Sequence, residues 1–139
     1  MASKLKKILV PLDGSKNSLR GLKFAINLAK QSNMQIIVLT IFSLPFYLKT
    51  QNVIEQKRKK SEQIINHAKN ITQKDKVSFF GEIKFSDNIG QEIILYSEKN
   101  KIDMIIIGSR GPDPEIELFL GSVANYVINK SKIPVTVIK

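Results

Sequence analysis

Five short apolar runs recur along this chain of 139 residues, and a longer segment of helical period follows each of the first four. This alternation constrains the fold more than any other feature. The runs are residues 5–10 (LKKILV), 34–42 (MQIIVLTIF), 77–85 (VSFFGEIKF), 104–107 (MIII) and 133–138 (IPVTVI). Each has the length of a strand and is too short for a helix. The second and fourth are apolar nearly throughout, which is the pattern of a strand covered on both faces. In the third, Val77, Phe79, Gly81 and Ile83 alternate with Ser78, Phe80, Glu82 and Lys84. One of its faces is therefore partly exposed, as at a sheet edge.

The segments between the runs read as amphipathic helices. The first is capped by Ser15 or Asn17, runs to about residue 32 and turns Leu22, Ala25, Ile26 and Ala29 to one side. The second covers residues 51–72, with Ile54, Ile64 or Ile65, Ala68 and Ile71 as its buried stripe. The third starts at a cap formed by Asp87 or Asn88 and carries Ile89, Ile93 and Tyr96. The fourth carries Val123, Val127 and Ile128 and ends near Lys130. Strict strand–helix alternation predicts an α/β fold: a doubly wound five-stranded parallel sheet with helices on both faces, Rossmann-like. Right-handed crossovers leave few topologies, and the order 3-2-1-4-5 is expected. No repeat, linker or second domain interrupts residues 1–139.

In such sheets a ligand sits at the carboxyl ends of the strands, where the strand order reverses. Here that point lies between strands one and four. The stretches ending those strands are Pro11-Leu12-Asp13-Gly14-Ser15 and Gly108-Ser109-Arg110-Gly111, so the two most distinctive short stretches would face each other across one crevice. After nine intervening residues Gly111 is followed by Gly121 and Ser122, at the start of the fourth helix. A helix start offers unpaired N–H groups and the positive end of a dipole, and glycine lets backbone come close to a ligand. The arrangement is an anion site suited to phosphate. It is neither a Walker A loop, because no Lys precedes Ser122, nor a G-x-G-x-x-G loop. Asp13 can accept from ribose hydroxyls or a base N–H, or ligate a divalent ion; equally it can serve as a turn residue or helix cap.

Composition narrows the function classes. The chain has no Cys, which excludes disulfides, thiol catalysis and thiolate metal sites. It has no apolar run of membrane-spanning length and no signal-peptide pattern, so a cytoplasmic protein without a membrane partner is expected. The net charge of +10 is uneven: residues 1–84 hold 16 Lys/Arg and 5 Asp/Glu, whereas residues 85–139 hold 6 and 7. Only 3 of the 22 basic residues are Arg, and Arg is the residue of bidentate phosphate and base recognition. The densest cluster, Lys57-Arg58-Lys59-Lys60, accordingly reads as a solvated helix face, and nucleic acid is not expected as a partner. The single histidine, His67, falls among the stripe of the second helix and reads as structural or surface. Ser15 and Ser122 have no identifiable base beside them. No catalytic residue is assigned, and at most slow turnover is expected.

Val10-Pro11-Leu12-Asp13-Gly14-Ser15, then Gly108-x-x-Gly111-x9-Gly121-Ser122, then Lys132-Ile133-Pro134-Val135-Thr136-Val137 resemble the universal stress protein family over the whole chain. The glycine spacing is the specific part of the likeness. In that family it marks the members that bind ATP, usually with a divalent metal. The resemblance implies an adenine-nucleotide regulator acting in stress response, with ATP, or AMP or ADP, as ligand and Mg²⁺ or Mn²⁺ accompanying it. It implies a nucleotide site drawn from Pro11, Asp13, Ser15, Ile41, Gly108, Arg110, Gly111, Gly121, Ser122 and Val123. Asp13 and the Ile41 backbone would contact the adenosine, Gly108 and Gly111 the ribose and phosphates, and Gly121, Ser122 and Val123 the phosphates. Asp13 would be the candidate metal contact, through the nucleotide phosphates. A homodimer through the C-terminal strand, which begins at Ile133 and ends at Ile138, is also implied.

One segment departs from the family pattern: Pro112, Asp113, Pro114, Glu115 and Glu117 stand where basic or small residues are usual. Each proline removes a possible N–H donor. A carboxylate within about 4 Å of a phosphate costs about 4 kcal/mol at an effective dielectric of about 20. Arg110 is the one cation nearby. Weaker or more metal-dependent triphosphate binding is expected, and AMP or another nucleotide is the alternative ligand. The alternative from a different class is a dimeric interaction module that uses no nucleotide.

Overall fold

In the computed structural model, which describes residues 6–109 and 120–139, strands and helices alternate as expected. The elements are β1 (Lys7–Pro11), α1 (Lys16–Ser32), β2 (Gln35–Phe42), α2 (Gln51–Lys74), β3 (Phe79–Phe85), α3 (Ile89–Lys99), β4 (Met104–Gly108), α4 (Ser122–Lys130) and β5 (Val135–Ile138). A single 3-10 turn, Phe46–Leu48, stands between β2 and α2. All strand pairings are parallel, in the order β3-β2-β1-β4-β5.

Successive strand residues point to opposite faces, and β1 divides the core accordingly. Ile8 and Val10 meet Leu22, Ala25 and Ile26 of α1 and Ala68 of α2 on one face. Leu9 meets Ile93 of α3 and Val127 of α4 on the other, together with Leu39 and Ile107. Each fully buried Leu or Ile contributes about 1.5–3 kcal/mol, so both layers are held mainly by these side chains. As the alternation of β3 implies, that strand lies at the sheet edge, and Phe80 is exposed.

Several boundaries differ from the sequence reading. Proline does not stop β1: Pro11 is its last residue, paired with Leu39. β3 and β5 start two residues later than expected, and α2 continues to Lys74. Ser15, not Asn17, caps α1, and Asn88, not Asp87, caps α3; Asp87 is drawn off into an ion pair with Lys49 at 3.0 Å. Ile128 is exposed, and α4 buries Ala124 and Val127 instead. The stripe of α2 is shorter than expected, because Ile54 is only half-buried and the first buried residue is Ser61.

Candidate functional site

The crevice begins where two neighbouring strands part. β1 stays paired with β2 as far as Pro11–Leu39, but its pairing with β4 ends at Leu9–Ile105. β4 continues to Gly108, now paired only with Ile138 of β5. The carboxyl ends of β1 and β4 therefore separate at the reversal of strand order, the place where doubly wound sheets take ligands. The Leu12 N–H donates to the Leu39 carbonyl at 3.0 Å. Bonding alternates sides along a parallel strand, so the donor that Pro11 lacks falls toward β4, where pairing has already ended. A proline on a central strand is thus accommodated.

Between the parted strands lies a hollow of about 370 Å³. Leu39 and Ile41 of β2, Ile89 and Ile93 of α3, and Ile107 of β4 give it apolar walls; Pro11, Leu12 and Asp13 edge one side, and Gly108, Gly121, Ser122, Val123 and Ala124 the other. Asp13 is the only ionisable residue among the described ones that line it. Its Oδ1 accepts the Ser15 N–H at 2.8 Å, so the turn role read from the sequence is realised. Its Oδ2 accepts no hydrogen bond among the described residues. Gly14 follows at φ +88°, where a side chain would be strained.

The opposite rim is a helix start. Gly121 caps α4 without a side-chain hydrogen bond, and no acidic residue occupies the first turn. The N–H groups of that turn have no acceptor within the helix. Gly121 itself donates to the Ser109 carbonyl at 2.7 Å, and Ser109 donates to Ile138 at 2.8 Å, which fastens this rim to the sheet. Gly108 has a packing reason of its own: a Cβ there would lie 2.5 Å from Asn17 Oδ1 and 3.1 Å from the Asn17 backbone. Glycine at 108 is what lets α1 close against β4.

Of the residues read from the sequence, Pro11, Asp13, Ile41, Gly108, Gly121, Ser122 and Val123 meet around this hollow. Ser15 does not. It faces an adjoining hollow of about 450 Å³, which shares Leu12, Asp13 and Ser18 with the first and adds Gly14, Lys60, Ile64 and His67. There Ser15 acts as a cap, accepting the Ser18 N–H at 3.1 Å. His67 is exposed. Arg110 and Gly111, and the segment from Pro112 to Glu117, lie outside the described residues. Of the apolar walls the sequence reading found only Ile41. Ile89 and Ile93 have the periodicity of core residues, and no sequence signal separates a residue facing a core from one facing a hollow. Among the described residues no three His, Cys, Asp or Glu side chains converge as a metal site.

A doubly wound sheet with an apolar crevice at its reversal point, edged by a helix start, defines a Rossmann-like ligand-binding class. The universal stress protein family model matches residues 4–139, and the chain belongs to that family. It is 29% identical to the universal stress protein MJ0531 of Methanocaldococcus jannaschii over 140 residues, covering 96% of this chain and 82% of that one. It superposes on the structure of MJ0577, from the same organism, with a TM-score of 0.80 at 30% identity, covering 99% and 97% of the two chains. Two further family structures share the fold. One, solved in complex with cAMP, has a TM-score of 0.76 at 20% identity, with 98% of each chain covered. The other, from Archaeoglobus fulgidus in complex with dAMP, has a TM-score of 0.72 at 22% identity, also with 98% of each chain covered.

Proposed function

We propose that this chain binds an adenine nucleotide in the crevice between β1 and β4 and works as a nucleotide-responsive regulator in the cytoplasm, not as an efficient catalyst. The observation that carries the reading is the pairing of an apolar slot with an open helix start: Ile41, Ile89 and Ile93 suit a base, and the first turn of α4 suits a phosphate. The family structures in complex with cAMP and dAMP support it. On this reading Asp13 accepts hydrogen bonds from the ribose or base through its open Oδ2, and Gly121, Ser122 and Val123 meet the phosphates. A divalent ion would draw most of its ligands from the nucleotide, because Asp13 is the only carboxylate on the described rim. Ser15 is better assigned to the turn and cap than to the ligand. A regulator fits better than an enzyme, since no nucleophile–base pair lines the slot among the described residues.

The homodimer belongs to the same proposal. β5 is an edge strand whose four residues are all half-buried, which leaves it an edge to pair. Sedimentation that returned only monomer at micromolar concentration would remove this part.

Calorimetric titration with ATP, ADP, AMP and cAMP, with and without Mg²⁺, tests the nucleotide reading. Micromolar binding is expected, with Gly121→Val abolishing it by placing a side chain on the rim. Because no described lining residue is a cation, AMP is expected within about tenfold of ATP in affinity. A folded wild-type protein that took up none of the four nucleotides would overturn the reading.

A further inference from the structure

The 3-10 turn Phe46–Leu48 holds three apolar side chains out into solvent: Phe46 is 89% exposed, Tyr47 80% and Leu48 41%. The turn is anchored, because Leu44 is buried and the Leu48 N–H donates to the Pro45 carbonyl at 2.9 Å. Adjacent exposed aromatics on an anchored turn are a signal for an interaction surface. In a 3-10 turn successive residues point about 120° apart. These side chains therefore radiate and form no flat face. A rigid partner would have to wrap the turn, whereas a fluid interface yields around whichever of these side chains point into it.

The charge beside the turn narrows the partner further. None of the first ten residues of α2 is buried. Residues 43–60 contain five cationic side chains and one anionic one. Lys57, Lys59 and Lys60 are exposed and make no ion pair among the described residues, while Arg58 lies 3.9 Å from both Glu55 and Glu62. Helical rise puts Lys57, Lys59 and Lys60 about 10 to 15 Å along α2 from the cap at Thr50, between about one and two Debye lengths. A second copy of this chain would bring like charge against like. Nucleic acid is less well matched, since the one guanidinium here is engaged by glutamates and the free cations are all lysines. An apolar wedge beside a group of free lysines supplies the two signals that hold a protein to an anionic bilayer.

We infer that the Phe46–Leu48 turn and the lysines at 57, 59 and 60 dock this protein on an anionic lipid surface. The aromatics enter the headgroup boundary and the lysines face the lipid phosphates. No described helix is long and apolar enough to cross a membrane, so the contact is peripheral and salt-sensitive. It stands independently of the nucleotide reading.

The test is flotation of the whole protein with vesicles of phosphatidylcholine, with and without about one-third phosphatidylglycerol. Partition at least about tenfold higher onto the anionic vesicles is expected, falling as salt rises. Phe46→Ser with Tyr47→Ser should lower it at least about tenfold, and Lys57→Gln with Lys59→Gln and Lys60→Gln should remove the preference for phosphatidylglycerol. The chain has no Trp, so Phe46→Trp provides a reporter without background, and its emission should shift to the blue on anionic vesicles. Equal partition of the serine variant and the wild type would overturn the inference. So would an unshifted emission, or lysine-dependent binding to an oligonucleotide with none to vesicles.

Discussion

Helices α1 and α2 pack on the same face of the sheet, and each opens with a hydroxyl cap, yet they are held in different ways. Along its 17 residues α1 buries seven, beginning with Asn17, Ser18 and Gly21 in its first turns. Along its 24 residues α2 buries three, Ser61, Ala68 and Thr72, none of them in the first ten. The start of α1 comes close to the crevice rim: a Cβ on Gly108 would lie 3.1 Å from the Asn17 backbone. The residues that fit α1 to the crevice rim thus contribute little apolar burial themselves, and Leu22, Ala25, Ile26 and Ala29 behind them supply it. α2 is fixed by its second half, and its first half is left to carry charge.

The largest expected effect separates the two helices directly. Leu22 is fully buried in the α1 layer, and Leu22→Ala should cost about 3 kcal/mol in urea unfolding. Ile54 stands half-buried in the free half of α2, and Ile54→Ala should cost about 1 kcal/mol or less. Equal losses would mean that α2 is held along its whole length, and the contrast would fail.

A smaller effect sharpens what α2 does for β3. Its packed half closes on that strand at Gly81, where a Cβ would lie 2.7 Å from Ile65 Cγ2. On the opposite face Tyr96 of α3 donates its hydroxyl proton to Glu82 at 3.1 Å. Burial, and then the negative charge of Glu82, push the Tyr96 phenol well above the ordinary tyrosine range. A phenol that ionises less readily when folded contributes stability that is whole below pH about 10 and shrinks as pH rises past that value. Tyr96→Phe should cost about 1 kcal/mol at neutral pH and should flatten part of the alkaline decline. Parallel decline in variant and wild type would mean that this bond does not hold β3, which then rests on β2 and α2.

The sequence made the sheet order, the reversal point and the family legible for one reason. Each depends on spacing that survives without side-chain detail: five apolar runs, and glycines at 108, 111 and 121. Periodicity did not distinguish Ile93, which lines the crevice, from a core residue, because burial against a core and against a hollow leaves the same pattern. The family resemblance put Ser15 at the ligand; in the structure it makes a cap bond with Ser18 and donates its N–H to Asp13. Ile54 fitted the stripe of α2, yet it is only half-buried, and Ile64, Ile65 and Ile71 are the isoleucines of α2 that pack on the core. How much of a helix meets the sheet depends on strand length and register, which a helical repeat does not encode.

The two caps give the finest test. Ser15 Oγ accepts the Ser18 N–H at 3.1 Å, and Thr50 Oγ1 accepts the Val53 N–H at 3.3 Å. As isolated bonds they would be worth about the same, roughly 1 kcal/mol. The packing behind them differs. Behind Ser15 the helix is buried within three residues, so its first turn opens only when the core does, and Ser15→Ala should lower global stability by about 1 kcal/mol. Behind Thr50 none of the first ten residues is fully buried, and that turn can fray by itself. Thr50→Ala should therefore cost only a few tenths of a kcal/mol globally (about 0.3), while speeding amide exchange within residues 51–60. If both variants lowered the urea midpoint equally, the first half of α2 would belong to the cooperative unit. Its exposed lysines would then sit on a rigid arm, and not on a helix end free to open.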